Sequence, residues 1–412
     1  MRHEVFNQLD NLMLSIGQKS ILTIVDQVKA LRETIIDDNV LTEFVNHVRG
    51  IVQREAKWAV IDNGGRGFVA MATGSGKSKV AIELINFYSI NQSTNNSLIV
   101  PTEKLRDENW HEEFVKWDSI YAYNRTSRLC YASASKIEDQ YINGICVLDE
   151  AHNITELAYS YFSNNNIENI VALSATPPTD DVKIEIFKKL NVPLVYELSL
   201  DNAVKLGFVA PYKITVVYTT LNNKDKTVKG GRKEKPFYQT EQKAYEYLTT
   251  LVESRTRPLA AINRMQFIAN LKSKTEVAKH IIKNFIPKED RRLYFCGSIA
   301  QAEELCIHNF HSKKKDDTDY QRFKSGEIDE LSCVESINEG HNFIGLDSAI
   351  ITQINSKEKN LIQRIGRLIR FRIGHEAHIY IIVCKGTQDE VWLASCTEKL
   401  DQSKIEYINL TT

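Results

Sequence analysis

The sequence lacks most features that would place it outside the ordinary globular class. No apolar run approaches the roughly 20 residues needed to cross a bilayer, so no membrane association is expected. The start, Met1-Arg2-His3-Glu4, leads into a mixed polar segment without the apolar centre of a signal peptide. No Cys-x-x-Cys pair occurs. The seven cysteines (Cys130, Cys146, Cys296, Cys306, Cys333, Cys384 and Cys396) are scattered and odd in number. That argues against a disulfide framework or a zinc site and points to a reducing, cytoplasmic setting. His308, His311 and His341 share no metal-ligand spacing with any cysteine. Charge of neither sign dominates, with 52 Lys+Arg against 53 Asp+Glu. A neutral total neither demands nor excludes nucleic acid, because a neutral protein can carry a basic channel. Internal repeats and long low-complexity tracts are absent.

What is present is enough apolar residue, 42% of 412 positions, to build sizeable cores in two or three domains. Residues 1–45 read as helices, with Ile21, Ile24, Val25, Val28 and Leu31 at helical spacing. Short apolar runs at 66–72, 97–101, 145–149 and 170–174 end in small or polar residues and alternate with helical patterns. Arg292–Cys296, Ser348–Thr352 and His378–Cys384 repeat that style in the second half. Strands alternating with helices imply parallel βαβ units. Between the halves, residues 222–236 hold Lys224, Lys226, Lys229, Arg232, Lys233 and Lys235 around Gly230-Gly231. This reads as a solvated basic loop, with phosphate contact as the sharper alternative. Residues 255–280 add Arg255, Arg257, Arg264, Lys272, Lys274 and Lys279, read as a solvated helical face packed through Ile262, Phe267, Ile268 and Leu271, with a nucleic-acid role for some of them as the alternative. Trp58, Trp110, Trp117 and Trp392 are read as packing residues rather than base-stacking wedges.

Residues 68–78 carry the first chemical signal. The apolar run Phe68-Val69-Ala70-Met71 enters Ala72-Thr73-Gly74-Ser75-Gly76-Lys77-Ser78 and then a helical pattern. This is the strand–loop–helix context of a phosphate loop. Gly74 and Gly76 let backbone N–H groups crowd around phosphate oxygens, and the helix N-terminus adds partial positive charge. Lys77 would reach the β- and γ-phosphates, and Ser78 would ligate Mg²⁺. Met71 stands where the strict pattern has its first glycine. Downstream, Ile145-Cys146-Val147-Leu148 ends in Asp149-Glu150, two carboxylates at the strand edge where α/β sheets bind ligands. Asp149 is suited to hold Mg²⁺, and Glu150 to orient and deprotonate a water.

Asp149-Glu150-Ala151-His152 is a literal DEAH box, and residues 72–78 resemble motif I of superfamily 2 helicases, a form that does not require the first glycine. Further segments follow in that family's order. Val100-Pro101-Thr102 resembles motif Ia and Leu173–Pro178 motif III. Tyr294–Ser298 resembles motif IV, Ile337–Asn342 motif V, and Gln363–Arg370 motif VI. The resemblance spans residues 49–395. Within the superfamily it looks most like the restriction-subunit and phage-helicase branch, through Asn202–Tyr212 and Phe323–Glu327. Two departures stand out. The adenine-reading element has Gln53, but Gly50 replaces its usual arginine, with Arg49 one residue further back. Motif V lacks the acidic-Pro pattern after its glycine.

The resemblance implies an α/β protein of two tandem RecA-like domains with parallel sheets, plus an N-terminal helical extension. The extension would occupy 1–45, the first domain 46–205 and the second 206–412. ATP and Mg²⁺ would be held by Gln53, Thr73, Gly74, Ser75, Gly76, Lys77, Ser78 and Asp149. Arg367 and Arg370 would act as arginine fingers, and Gln363 would sense the γ-phosphate. His152, Ser174 and Thr176 would couple the ATP site to the nucleic acid. Pro101, Thr102, Gly297, Ser298 and Gly340 would contact its phosphate backbone without reading sequence. The expected function is an ATP-dependent helicase or translocase, with DNA favoured over RNA on branch resemblance alone. An RNA helicase with the same engine is one alternative. A nucleic-acid-gated ATPase clamp that never unwinds is another. The first 45 residues could cap the first domain, bind a protein partner or touch the substrate.

Overall fold

The computed structural model describes residues 2–89, 93–232, 235–255, 257–314, 316–334, 345–354, 376–398 and 400–410. The chain divides into two compact units, Met1–Val209 and Ala210–Thr412.

The first unit begins with three helices, α1 (Arg2–Ile16), α2 (Val25–Glu33) and α3 (Asp38–Asp62). Ile21, Ile24, Val25, Val28 and Leu31 are all buried, so the helical spacing marks a face that packs. Polar contacts pin these helices to the rest of the unit. Glu55 of α3 accepts from the Ile21 amide at 2.7 Å and from the Tyr196 hydroxyl at 3.1 Å. Arg32 donates to the Val204 carbonyl at 2.9 Å. Of the three roles open to the extension, capping its own domain is the one these contacts describe.

Six strands follow: β1 (Arg66–Met71), β2 (Asn96–Val100), β3 (Thr126–Cys130), β4 (Tyr141–Leu148), β5 (Asn166–Ser174) and β6 (Leu194–Leu198). They form one sheet in the order β3-β2-β4-β5-β1-β6. Every pairing is parallel. Parallel strands need crossover connections, so helices cover both faces and the strands read as continuous apolar runs. That is why 66–72, 97–101, 145–149 and 170–174 are legible as strands.

The second unit repeats the architecture. Its strands are β7 (Tyr212–Thr220), β8 (Val228–Arg232), β9 (Lys235–Gln239), β10 (Arg292–Cys296), β11 (Asn309–Phe310), β12 (Glu330–Val334), β13 (Ser348–Ile351), β14 (Ala377–Lys385) and β15 (Ile405–Asn409). Seven build a sheet ordered β11-β12-β10-β13-β14-β7-β15, again parallel throughout. The remaining two, β8 and β9, pair antiparallel as a separate ribbon. The basic stretch 222–236 therefore carries a hairpin where the sequence reads as a loop. Its lysines obscure the strand pattern, because charge alternation carries no apolar period. Among the described residues no helix is long and apolar enough to cross a membrane, and all seven cysteines are buried thiols outside any disulfide.

The basic face expected over 255–280 also needs correction. Ile262 is exposed, whereas Ile268 and Leu271 are buried as expected. Lys274 is not solvated at all. Its side chain is 0% exposed and pairs at 2.6 Å with Asp389, itself 1% exposed. Lys274 also donates to the Thr352 carbonyl at 3.0 Å, and Asp389 accepts the Cys384 amide at 2.9 Å. Burial raises the Asp389 carboxyl above its ordinary range, opposed by the Lys274 charge. A buried pair of this kind is costly to break on one side and cheap to replace as a whole. Lys274→Met should therefore lower stability by about 3–5 kcal/mol in urea unfolding, while Lys274→Met with Asp389→Leu should restore most of the loss.

Candidate active site

β1 is buried through Met71 and ends at the sheet's carboxyl edge. The chain turns through residues 72–76, and helix α4 (Lys77–Tyr88) begins at once. Ser75 closes the turn, its amide and hydroxyl both donating to the Ala72 carbonyl, at 3.2 and 2.6 Å. Gly74 and Gly76 adopt left-handed backbone, with φ of +88° and +95°. At Gly76 a Cβ would lie 2.1 Å from Gln53 Nε2. Gln53 is 3% exposed and donates to the Ser75 carbonyl at 3.0 Å. The residue expected to read adenine thus also braces the phosphate loop from α3. Arg49, one turn earlier on α3, donates to the Phe208 carbonyl at 3.5 Å and lies over the Phe208 ring.

Lys77 Nζ donates to the Met71 carbonyl at 3.1 Å. A carbonyl is a weak partner for an ammonium, and a phosphate oxygen would replace it favourably. Thr73, Lys77 and Ser78 are part-exposed and Gly74 is exposed, so the loop is open to a ligand at the N-terminus of a twelve-residue helix. This chemistry fits a nucleoside triphosphate.

β4 is buried through Leu148, and Asp149 follows it. The Asp149 amide donates to the Ile99 carbonyl at 2.9 Å, continuing the pairing with β2. Its carboxylate accepts from Trp110 Nε1 at 2.9 Å and from the Glu150 amide at 2.9 Å. The Tyr131 hydroxyl donates to the Asp149 carbonyl at 3.0 Å. Burial pushes the Asp149 carboxyl well above the usual range, and the Glu150 charge pushes the same way. Trp110, Lys77 and the Glu150 amide oppose them. A desolvated carboxylate near a lysine is poised for a divalent cation, which would favour its charged form.

Glu150 has φ of +44°, a left-handed conformation that costs a side-chain-bearing residue energy and recurs at functional sites. Its Oε2 lies 3.4 Å from His152 Nδ1, and that nitrogen is 3.1 Å from Ser174 Oγ. Ser174 ends β5. A continuous polar path therefore joins the second carboxylate to the end of the neighbouring strand. Lys183 holds the His152 carbonyl. Thr176 lies two residues past Ser174 in the bend after β5, part-exposed.

Pro101 and Thr102 leave the end of β2. The Thr102 hydroxyl accepts the Leu105 amide at 3.3 Å, capping the helical segment over 103–116, while its side chain stays exposed. Gly297 and Ser298 leave the end of β10 in the second unit. The Gly297 amide donates to Gln301 Oε1 at 2.8 Å, and Ser298 Oγ accepts the Gln301 amide at 3.3 Å. Gly340, Gln363, Arg367 and Arg370 lie outside the described residues. Among the described residues, no cluster of three or more His, Cys, Asp or Glu could hold a metal alone.

Two residues escape sequence reasoning. Gln301 is buried, ties Gly297 to Thr275 at 3.0 Å and accepts Thr352 Oγ1 at 2.7 Å. Trp110 packs in the core as expected, yet its N–H reaches a carboxylate 39 positions away. A buried Trp needs an acceptor and a buried carboxylate a donor, but sequence does not pair them. A turn of π-helix, Leu105–Asn109, separates Thr102 from Trp110, an irregularity frequent at functional sites. Trp110→Phe keeps the ring and removes the donor. It should cut ATP turnover about tenfold, since hydrogen bonds to charged groups contribute ~1.5–3 kcal/mol. Steady-state ATPase assays beside near-ultraviolet circular dichroism would check both parts.

The family model described as "Type III restriction enzyme, res subunit" matches residues 26–179, and "Helicase conserved C-terminal domain" matches 270–372. A relative, the DNA 3'-5' translocase XPB2 of Sulfurisphaera tokodaii, is 24% identical over 357 residues, covering 79% of each chain. Among solved structures, the ATP-dependent Type ISP restriction-modification enzyme LlaBIII bound to DNA has a TM-score of 0.55 at 13% identity. That alignment covers 88% of this chain, which spans only 31% of LlaBIII. Saccharomyces cerevisiae Dbp5 bound to RNA and ADP BeF3 has a TM-score of 0.53 at 15% identity, covering 87% of this chain and 89% of its own. The structural likenesses establish the fold, two RecA-like domains. Both helicase-type family matches and the XPB2 relative support an ATP-dependent nucleic-acid helicase or translocase.

Proposed function

We propose that the chain is a DNA translocase of the DEAH type, nearest to the restriction-subunit and phage-helicase branch. The observation that carries the proposal is the polar path from Glu150 through His152 to Ser174. It joins the carboxylate suited to activate water to the strand end that leads into Thr176. His152 Nδ1 faces both Glu150 and Ser174, so a shift of Glu150 on hydrolysis would be felt at the end of β5. DNA is favoured because the XPB2 relative is named a DNA translocase. The fold alone does not choose, since LlaBIII bound to DNA and Dbp5 bound to RNA share it.

In this reading the loop at 73–78 and Lys77 cradle the phosphates. Ser78 and Asp149 would hold Mg²⁺, which would neutralise phosphate charge when bound. Trp110 fixes the Asp149 carboxylate. Glu150 takes the proton of the attacking water. Gln363, Arg367 and Arg370 supply the γ-phosphate contacts, the arginines stabilising charge that develops in the transition state. Pro101, Thr102, Gly297, Ser298 and Gly340 contact the phosphate backbone.

ATPase rates with no polymer, single-stranded DNA, duplex DNA and single-stranded RNA, at one salt concentration, test the reading. Stimulation by DNA and not RNA is expected, together with ATP-dependent strand displacement or displacement of a bound protein. RNA-only stimulation would install the RNA helicase. Stimulation without displacement would install the clamp. Glu150→Gln should bind ATP and DNA but stall, and Arg367→Ala should lose turnover by about 10³-fold or more while retaining ATP binding.

A further inference from the structure

The β8–β9 ribbon is not explained by the fold. An isolated two-stranded hairpin is marginal in water, and this one adds charge repulsion and exposed rings. Residues 222–239 hold six basic residues against two acidic ones in a chain of net charge −1. Phe237 is 52% exposed and Tyr238 59%. Lys224, Lys226, Lys229 and Lys235 are exposed as well.

The ribbon's base is nonetheless well fixed. Leu221 packs with Tyr245, Ile268 and Leu271. The buried Glu241 accepts the Asn222 amide at 2.9 Å and the Ser273 amide at 3.1 Å. The strand register pairs Lys229 with Tyr238 and Gly230 with Phe237. Neighbouring positions face opposite ways on a strand. One face therefore sets the Tyr238 ring beside Lys229, and the other sets Phe237 with Lys235. Gly231, at φ +86°, has Phe237 so close that a Cβ would lie 3.0 Å from its ring. The Phe237 ring thus lies against bare backbone, held in place while still half open to solvent.

We propose that this hairpin is a single-stranded DNA contact. Its two rings offer stacking platforms for bases, and its lysines neutralise the flanking phosphates. Rings and cations interleaved on one ribbon are the chemistry of sequence-tolerant single-strand binding. The proposal rests on the nucleic-acid reading above and adds a contact outside its motifs.

The test measures anisotropy of fluorescein-labelled oligo(dT) with the full chain, beside ATPase with and without that oligonucleotide. Phe237→Ala and Tyr238→Ala should each raise Kd at least about fivefold. Lys226→Gln with Lys229→Gln should flatten the log Kd against log salt slope by about 0.7 per lost contact. Polymer-free ATPase and thermal midpoint should not move. Removing Phe237 could open the ribbon, so Tyr238→Ala, on the other face, keeps the test decisive. If every variant binds like wild type while wild type binds and is stimulated, the hairpin proposal falls and the translocase reading stands. The ribbon would then suit an acidic protein surface. If wild type neither binds the oligonucleotide nor responds to it, both fall.

Discussion

Parallel pairing is the constraint on which the molecule depends. Each large sheet runs all its strands one way, so the carboxyl ends collect along one edge. In the first sheet β1 lies beside β5, and β5 beside β4. The phosphate loop, the segment at Ser174 and the pair Asp149-Glu150 are therefore neighbours by topology. A one-residue slip would exchange the side chains packed on the two faces of the sheet. Burial on both faces forbids that, and the loops inherit the precision of the core beneath them.

Desolvation gives that edge its chemistry. Desolvation holds the Asp149 carboxyl above its ordinary range, and the Glu150 charge beside it pushes the same way. Such a carboxylate is retained only where something compensates it. Trp110 and the Glu150 amide do so in part, and a cation would complete the compensation. Glu150 itself sits in strained backbone, held by the contacts of its neighbours.

The second unit shows the same use of desolvated polar groups at its own edge. Lys274 and Asp389 are fully desolvated, yet they tie a helix to the Thr352 carbonyl and the Cys384 amide, at the ends of β13 and β14. Gln301 ties Gly297 to Thr352 in the same way. Polar networks thus fix the residues that immediately follow β10 and β13, Gly297 and Thr352. The N-terminal helices follow this pattern in the first unit, where Glu55 and Arg32 anchor them.

The sequence by itself determined the α/β class, the strands β1, β2, β4, β5, β10, β13 and β14, and the order of the motifs, but not the internal strands β7 and β12. These signals are local: a buried parallel strand must be continuously apolar, and a phosphate loop must place glycine where a side chain would collide. The edge strands β3, β6, β11 and β15 were not legible, because an edge lacks a neighbour on one side and tolerates polar residues such as Arg128, Glu197 and Glu406. The hairpin was hidden beneath its lysines. Only the tertiary structure decided that Trp110 serves Asp149, that Gln53 braces Ser75 and that Lys274 is buried with Asp389. Each of those is a pairing between distant positions. A buried polar group must find a partner, but its own neighbours in sequence carry no record of which partner the fold will bring.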